Sequence, residues 1–259
     1  MNEQNQPPHS APETTAPPPP DSARSPEHNE WLRAASDPTL TGDQAQALLE
    51  RADLPADVIE QLARNRPALK LRKVKIALAC HLHTPRHLSV PLIRQFYTFD
   101  LMKVALSPTV PADIKLTADA TLISRLETIT QGERSTLARR ASGKVAGALL
   151  LDAEERIMRA ALENGRMTEA HIVQAILSPD ARAALVHAVS QHEKWCHRRD
   201  VQLALLRTEH LSLARALAFT REMSSQQRAE ILQTSRLPEA IKNQLLREIP
   251  SEKSPSSAE

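Results

Sequence analysis

Two groups of basic side chains are the residues of this sequence best suited to bind another molecule. The first group is Lys70, Arg72, Lys73 and Lys75, and the second is Arg139, Arg140 and Lys144. Ammonium and guanidinium groups bind the phosphates of nucleic acids and the carboxylates of acidic peptides. Residues 66–147 hold 14 Lys and Arg against 5 Asp and Glu, although the formal net charge of the chain is only +2. We take both groups as candidate partner-binding residues, against the alternative that they form ordinary solvated helix faces.

The second group lies in the run Arg139-Arg140-Ala141-Ser142-Gly143-Lys144. Its first four residues have the form of a substrate for a basic-directed Ser/Thr kinase, and its last three have the form of part of a phosphate-binding loop. The phosphate loop fails, because Ala138 stands where its first Gly is required and Val145 stands where Ser or Thr would follow the Lys. We therefore predict a turn between two helices, in which the helix 133–141 ends and Gly143 supplies the left-handed C-terminal conformation.

Two groups of Cys and His residues raise the question of a metal site. They are Cys80, His81, His83 and His87 in the first group and His192, Cys196 and His197 in the second. A structural zinc site needs four converging ligands, and Pro85 prevents a continuous helix between His83 and His87. We expect helix-end turns with exposed histidines and leave metal binding by the first group open. No set of residues for nucleophilic or acid–base catalysis stands out, so we expect a protein that is not an enzyme and uses no cofactor or metal.

The composition favours a helical protein. Of 259 residues, 41% are hydrophobic, only 2% are aromatic and 5 are Gly. A core made of Leu, Ala, Ile and Val is typical of closely packed helices, which predicts an all-α fold. The two cysteines are too few for a disulfide framework and fit a reducing compartment. No basic N-terminal region with an apolar run and no long apolar segment occurs, so we expect a cytoplasmic protein with no membrane contact.

Residues suited to cap helix N-termini recur along the chain with a period near 43 residues. They are Thr41, Thr84, Thr130, Thr168 and Ser212. Two of them form the capping-box pattern, Thr41 with Gln44 and Thr130 with Glu133. A second register of apolar residues, each followed by small or apolar residues at helical spacing, keeps the same period. Its members are Trp31, Val74, Ile114, Ile157, Val201 and Ile241.

Together the two registers predict an α-solenoid of about five repeats over residues 29–249, with about three helices in each. In the second repeat we expect helices at 85–97, 99–106 and 111–129. In the fourth repeat we expect them at 169–177, 179–189 and 193–207. The Pro-rich segment 1–28 and the segment 250–259 have almost nothing apolar to bury, so we expect both to be disordered tails.

The helix pattern resembles that of the HEAT and armadillo class of α-solenoids over about residues 30–249. The likeness is clearest in Asp152-Ala-Glu-Glu-Arg-Ile-Met-Arg-Ala-Ala-Leu162, which is similar to the Asp…Val-Arg-x-x-Ala signature of HEAT repeats, and Arg199-Asp-Val-Gln-Leu-Ala-Leu-Leu206 is a looser copy. A third short helix in each repeat is more similar to armadillo. The resemblance implies a non-enzymatic scaffold that binds a protein or peptide partner. The alternative is that the basic middle of the solenoid binds nucleic acid through the phosphate backbone.

Overall fold

The structure, a computed structural model, describes residues 25–221 and 223–247, and within these ranges it is all-helical with no strand. The predicted all-α fold is therefore confirmed. The described residues form seventeen helices, most of them 7 to 13 residues long, which fall into successive repeats of three principal helices. Repeat 1 also holds α4, a single turn. The helices are α1 (Pro26–Ser36), α2 (Gly42–Leu49), α3 (Ala56–Arg64) and α4 (Arg66–Leu69) in repeat 1; α5 (Arg72–Cys80), α6 (Arg86–Ile93) and α7 (Thr98–Leu106) in repeat 2; α8 (Ala112–Ser124), α9 (Gln131–Arg140) and α10 (Gly143–Leu149) in repeat 3; α11 (Glu155–Leu162), α12 (Glu169–Ile176) and α13 (Ala183–Gln191) in repeat 4; α14 (Arg199–Leu206), α15 (Leu213–Thr220) and α16 (Ser225–Thr234) in repeat 5; and α17 (Glu239–Arg247) at the start of a sixth.

The apolar register identified in the sequence marks the first helix of every repeat. Its six members lie in α1, α5, α8, α11, α14 and α17. The side chains of Val74, Ile114, Ile157 and Val201 are buried in the core. Because the same helical face carries the core residue in each repeat, the repeats present equivalent surfaces to one another.

The packing between helices repeats in the same way. In every repeat the first helix packs against the third, and the second helix packs against the first helix of the next repeat. No principal helix–helix contact within the described residues joins helices more than three positions apart. Such nearest-neighbour packing is that of a solenoid, so the predicted architecture is confirmed.

Side-chain caps explain where several helices begin. Thr41 and Thr130 form the predicted capping boxes with Gln44 and Glu133, and Ser224 forms another with Gln227. Thr84 does not cap α6, because its Oγ1 donates to the Leu78 carbonyl and Pro85 occupies the cap position. Thr168 and Ser212 occupy N-cap positions, but their side chains accept no hydrogen bond from a backbone N–H of the helix. The Thr168 hydroxyl is instead hydrogen-bonded to Nδ1 of His171 in α12.

Polar side chains at the ends of several helices connect each of those helices to one that lies two or three positions earlier in the chain. Each donates a hydrogen bond to a backbone carbonyl at or just after the end of the earlier helix, where carbonyls have no partner within the helix. Asn65 bonds to the Ala35 carbonyl at 3.1 Å, and Asn164 bonds to the Ala138 carbonyl at 2.8 Å. The other side chains in this role are His81, Arg125, Trp195 and Ser235.

Several sequence-based boundaries need correction. Helix α1 already begins at Pro26, with Ser25 accepting from the His28 backbone N–H, so the N-terminal tail cannot extend to residue 28. The expected helix 193–207 begins only at residue 199, because 193–197 form a turn that buries the Trp195 ring. The expected helices 85–97 and 111–129 end earlier, at Ile93 and Ser124, and the expected helix 179–189 begins only at Ala183. Residues 1–24 and 248–259, which include the rest of both expected tails, lie outside the described residues.

Candidate partner-binding surface

The first basic group lies where repeat 1 meets repeat 2. Lys70 follows α4, and Arg72, Lys73 and Lys75 lie in the first turn of α5. Lys70, Arg72 and Lys73 are exposed, whereas Lys75 is half-buried. The group therefore presents three cationic side chains to solvent, as the sequence suggests.

Arg72 is held in place by a buried carboxylate of α7. Its Nε and Nη2 donate to the two carboxylate oxygens of Asp100 at 2.8 and 2.7 Å. The Asp100 side chain is only 2% exposed, whereas that of Arg72 is 60% exposed. The hydrogen bonds and the charge of Asp100 raise the pKa of Arg72 above its ordinary value. This two-point contact fixes the plane of the guanidinium group and leaves its other side open.

The fixed guanidinium lies over the ring of Tyr97, with 5.3 Å between Cζ and the ring centroid. Tyr97 is the chain's only tyrosine, and it is 71% exposed. Leu71, beside Arg72, is 45% exposed, and Phe99 is 38% exposed. We define the Arg72–Tyr97 surface as Lys70, Leu71, Arg72, Lys73, Tyr97 and Phe99.

The sequence indicates the basic members of this surface, but it indicates neither the aromatic members Tyr97 and Phe99 nor the ion-pair partner Asp100. The run Tyr97-Thr98-Phe99-Asp100 reads locally as an ordinary helix start. Only the contact between α5 and α7 brings Asp100 to Arg72, across 28 residues of chain. The sequence offered one indication of this surface: the acidic Asp100 lies in the first turn of α7, directly after the aromatic residues Tyr97 and Phe99.

The second basic group is divided between two grooves. Arg139 lines a groove of about 800 Å³ along α11. Lys144 lines a different groove of about 680 Å³ between α8, α10 and α12. Arg140 is exposed at the end of α9. No principal contact in the described chain joins α4 or α5 to α9 or α10, so a face shared by the two basic groups stays a prediction.

The turn between α9 and α10 differs from the expected helix end. No residue of the described chain has a positive φ, so Gly143 is not in the left-handed conformation. Instead, Ser142 caps the N-terminus of α10 by accepting from the Val145 N–H at 3.3 Å. Its hydroxyl also donates to Asp119 of α8 at 2.7 Å. The helix therefore ends at Arg140 because the N-cap of the next helix, Ser142, follows two residues later.

Two ionisable groups next to this turn are perturbed by their surroundings. Burial raises the pKa of Asp119, against the opposing effects of the Ser142 hydrogen bond and the charges of Lys144 and His171. Burial lowers the pKa of His171, which lies over Gly143 and Gly147. At neutral pH this places a neutral imidazole beside the two glycines.

Two of the three histidines of the first Cys and His group, His81 and His83, make hydrogen bonds that stabilise the fold. His81 Nε2 bonds to the Arg51 carbonyl at 2.8 Å, and His83 Nδ1 bonds to the Leu54 carbonyl at 2.9 Å. Contrary to the expectation of exposed histidines, His81 is buried. Burial raises the pKa of the Cys80 thiol to about 11. In the part of the chain that the structure describes, no group of three or more His, Cys, Asp and Glu residues is placed to hold a metal ion.

No family model, curated protein or solved structure matches this chain. Within 25–221 and 223–247, none of the helices has the length and apolar character needed to cross a bilayer.

Proposed function

We propose that this protein is a helical-repeat scaffold of the HEAT or armadillo type and that it binds a protein or peptide partner through the Arg72–Tyr97 surface. The observation that carries the proposal is the exposed Tyr97 ring beneath a guanidinium that Asp100 fixes at two points. Tyr and Arg are enriched among the residues that contribute most to protein interfaces. A side chain already held in its binding geometry loses less entropy on association.

The surroundings of Tyr97 favour an amphipathic partner with acidic groups. Leu71 and Phe99 add exposed apolar area beside the ring. Lys70 and Lys73 add positive charge at the edge. A partner that places an apolar side chain against Tyr97 and carboxylates near the lysines would satisfy both features.

Single-stranded nucleic acid is the second candidate. An exposed aromatic ring flanked by lysines can stack on a base while the lysines contact phosphates. We favour the protein partner because Asp100 already neutralises Arg72, which leaves fewer cations for a continuous phosphate backbone.

We also propose that the scaffold is non-enzymatic and acts in the cytoplasm. The free thiols of Cys80 and Cys196 are consistent with a reducing compartment.

The test is affinity capture with the full-length protein, followed by calorimetry with the purified partner. Tyr97→Ala is compared with Leu246→Ala, which removes an exposed apolar side chain from α17. Tyr97→Ala should weaken the complex by about tenfold or more, whereas Leu246→Ala should bind like the parent. Equal affinities for the two variants would refute the surface. A steep fall of affinity with salt, together with capture of nucleic acid, would favour the second candidate.

A further inference from the structure

A second surface, the groove along α11, has an unbalanced set of charges. It is lined by Arg139 of α9, by Glu155, Arg156, Arg159 and Ala160 of α11, and by Glu163 at the C-cap of α11. A smaller cavity of about 280 Å³ shares Arg159 and Glu163 with it and extends to α13. The combined groove thus crosses the first helix of repeat 4, with the last turn of α9 on one side and α13 on the other.

Both acidic side chains of the groove are already engaged. Arg159 donates twice to one carboxylate oxygen of Glu155, at 2.8 and 2.6 Å. Glu163 lies 3.1 Å from His192 Nε2 at the end of α13. Neither Glu155 nor Glu163 forms a hydrogen bond or ion pair with the remaining two arginines of the groove, Arg139 and Arg156.

Those remaining arginines, Arg139 and Arg156, make no side-chain hydrogen bond or ion pair with any described residue, and both are exposed. Two further guanidinium groups lie close to the α9 end of the groove. Arg140 follows Arg139 directly, and Arg166 donates to the Arg140 carbonyl at 3.4 Å. The α9 end of the groove is therefore basic, because no carboxylate of the described residues forms an ion pair with Arg139 or Arg156.

We propose that the α11 groove binds an acidic peptide segment of a partner protein, with Arg139 and Arg156 each holding a carboxylate of the peptide. Guanidinium groups form two-point contacts with carboxylates. Ala160, Leu162 and Ala188 also line the combined groove and are nearly buried, so apolar side chains of the peptide can pack against them between its acidic residues. This site is separate from the Arg72–Tyr97 surface and does not depend on it.

The two acidic residues of the groove, Glu155 and Glu163, favour a peptide ligand over nucleic acid. A phosphate backbone carries a charge at every nucleotide and would have to pass Glu155 and Glu163. A peptide can place neutral side chains at those two positions. The groove thus selects for spaced carboxylates.

Fluorescence anisotropy with the full-length protein tests the proposal. The probe is a labelled peptide in which Glu and Leu alternate, and its matched control is the same peptide with Gln in place of Glu. Arg139→Gln/Arg156→Gln removes the two unpaired charges. Arg33→Gln/Arg64→Gln makes the same change of charge in repeat 1, where both side chains are exposed. Circular dichroism checks that every variant is folded.

We expect saturable binding of the Glu peptide and none of the Gln peptide. Arg139→Gln/Arg156→Gln should weaken binding by about tenfold or more, and the repeat 1 variant should bind like the parent. Glu155→Gln should tighten binding, because it removes a repelling charge and releases Arg159. Tighter binding of oligothymidylate than of the Glu peptide would overturn the proposal, as would equal affinities of the two double variants. A parent dimer in sedimentation that Arg139→Gln/Arg156→Gln converts to monomer would also overturn it, since a second copy would then fill the groove.

Discussion

Replacing Gly143 by alanine is expected to destabilise the protein, although alanine normally favours a helix over glycine. Gly143 is the first residue of α10 and lies beneath α12 and the loop before it. A Cβ at this position would stand 2.3 Å from the Arg166 carbonyl oxygen and 2.7 Å from His171 Cε1. The first contact is with backbone, which cannot rotate away. The substitution therefore forces α10 to shift relative to repeat 4.

The expected cost follows from two opposing effects. Forcing an extra methyl group into a packed interface costs about 1–3 kcal/mol. The gain in helix propensity is less than about 1 kcal/mol at a helix start. A shift of α10 would also disturb the contact between Ser142 and Asp119. We expect a net loss of about 2 kcal/mol, which corresponds to a fall in Tm of about 4–8 °C for a chain of this size.

Gly132→Ala is the matched control, because a Cβ there would meet nothing within 4 Å. It lies in the first turn of α9 and should stabilise the protein by about 0.5 kcal/mol. Urea unfolding of both variants is followed by circular dichroism and by the fluorescence of the buried Trp195. A free energy of unfolding for Gly143→Ala equal to or higher than that of the parent would contradict the predicted clash.

Three further predictions concern buried polar groups and a thiol. Asn164→Ala removes two hydrogen bonds to buried carbonyls and should lower the free energy of unfolding by about 1–3 kcal/mol; an unchanged urea midpoint would contradict the structural role. Folding raises the pKa of Asp119 above its ordinary value of 3.8. Asp119 therefore contributes stability to the folded state below pH 3.8, and this stability is lost as the pH rises through the folded-state pKa. Asp119→Asn should therefore be more stable than the parent at pH 7, and urea midpoints measured across pH should show that this advantage shrinks on acidification; a difference independent of pH would count against it. Cys80, with a pKa of about 11, should react with iodoacetamide far more slowly in the folded protein at neutral pH than in urea, and equal rates would show that the thiol is not shielded.

The helical repeat could be predicted from the sequence because its signals are local. The boxes Thr41 with Gln44 and Thr130 with Glu133 need only four residues each, and the apolar register shows in single helices. The turn at 193–197 was missed because Trp195 enters the core through a hydrogen bond to the distant Leu162 carbonyl. Local helical periodicity does not reveal such a contact.

The candidate surfaces were predicted only in part for the same reason. Arg72 was identified from local charge, but its partners Asp100 and Tyr97 come from another helix. Arg139 was likewise identified, whereas Arg156 reads in the sequence as one more charge on an amphipathic helix. Pairing between helices decides which arginines are neutralised and which stay unpaired.

Hydrogen–deuterium exchange of the full-length protein with its captured partner is the most direct test of binding at the Arg72–Tyr97 surface. We expect the partner to slow exchange at the start of α5, which carries Arg72, and at the start of α7, where Tyr97 is the N-cap residue. The same footprint should be absent with the Tyr97→Ala variant at equal concentrations. Protection confined to repeats 4 and 5, with α5 and α7 unchanged, would contradict the assignment of partner binding to the Arg72–Tyr97 surface.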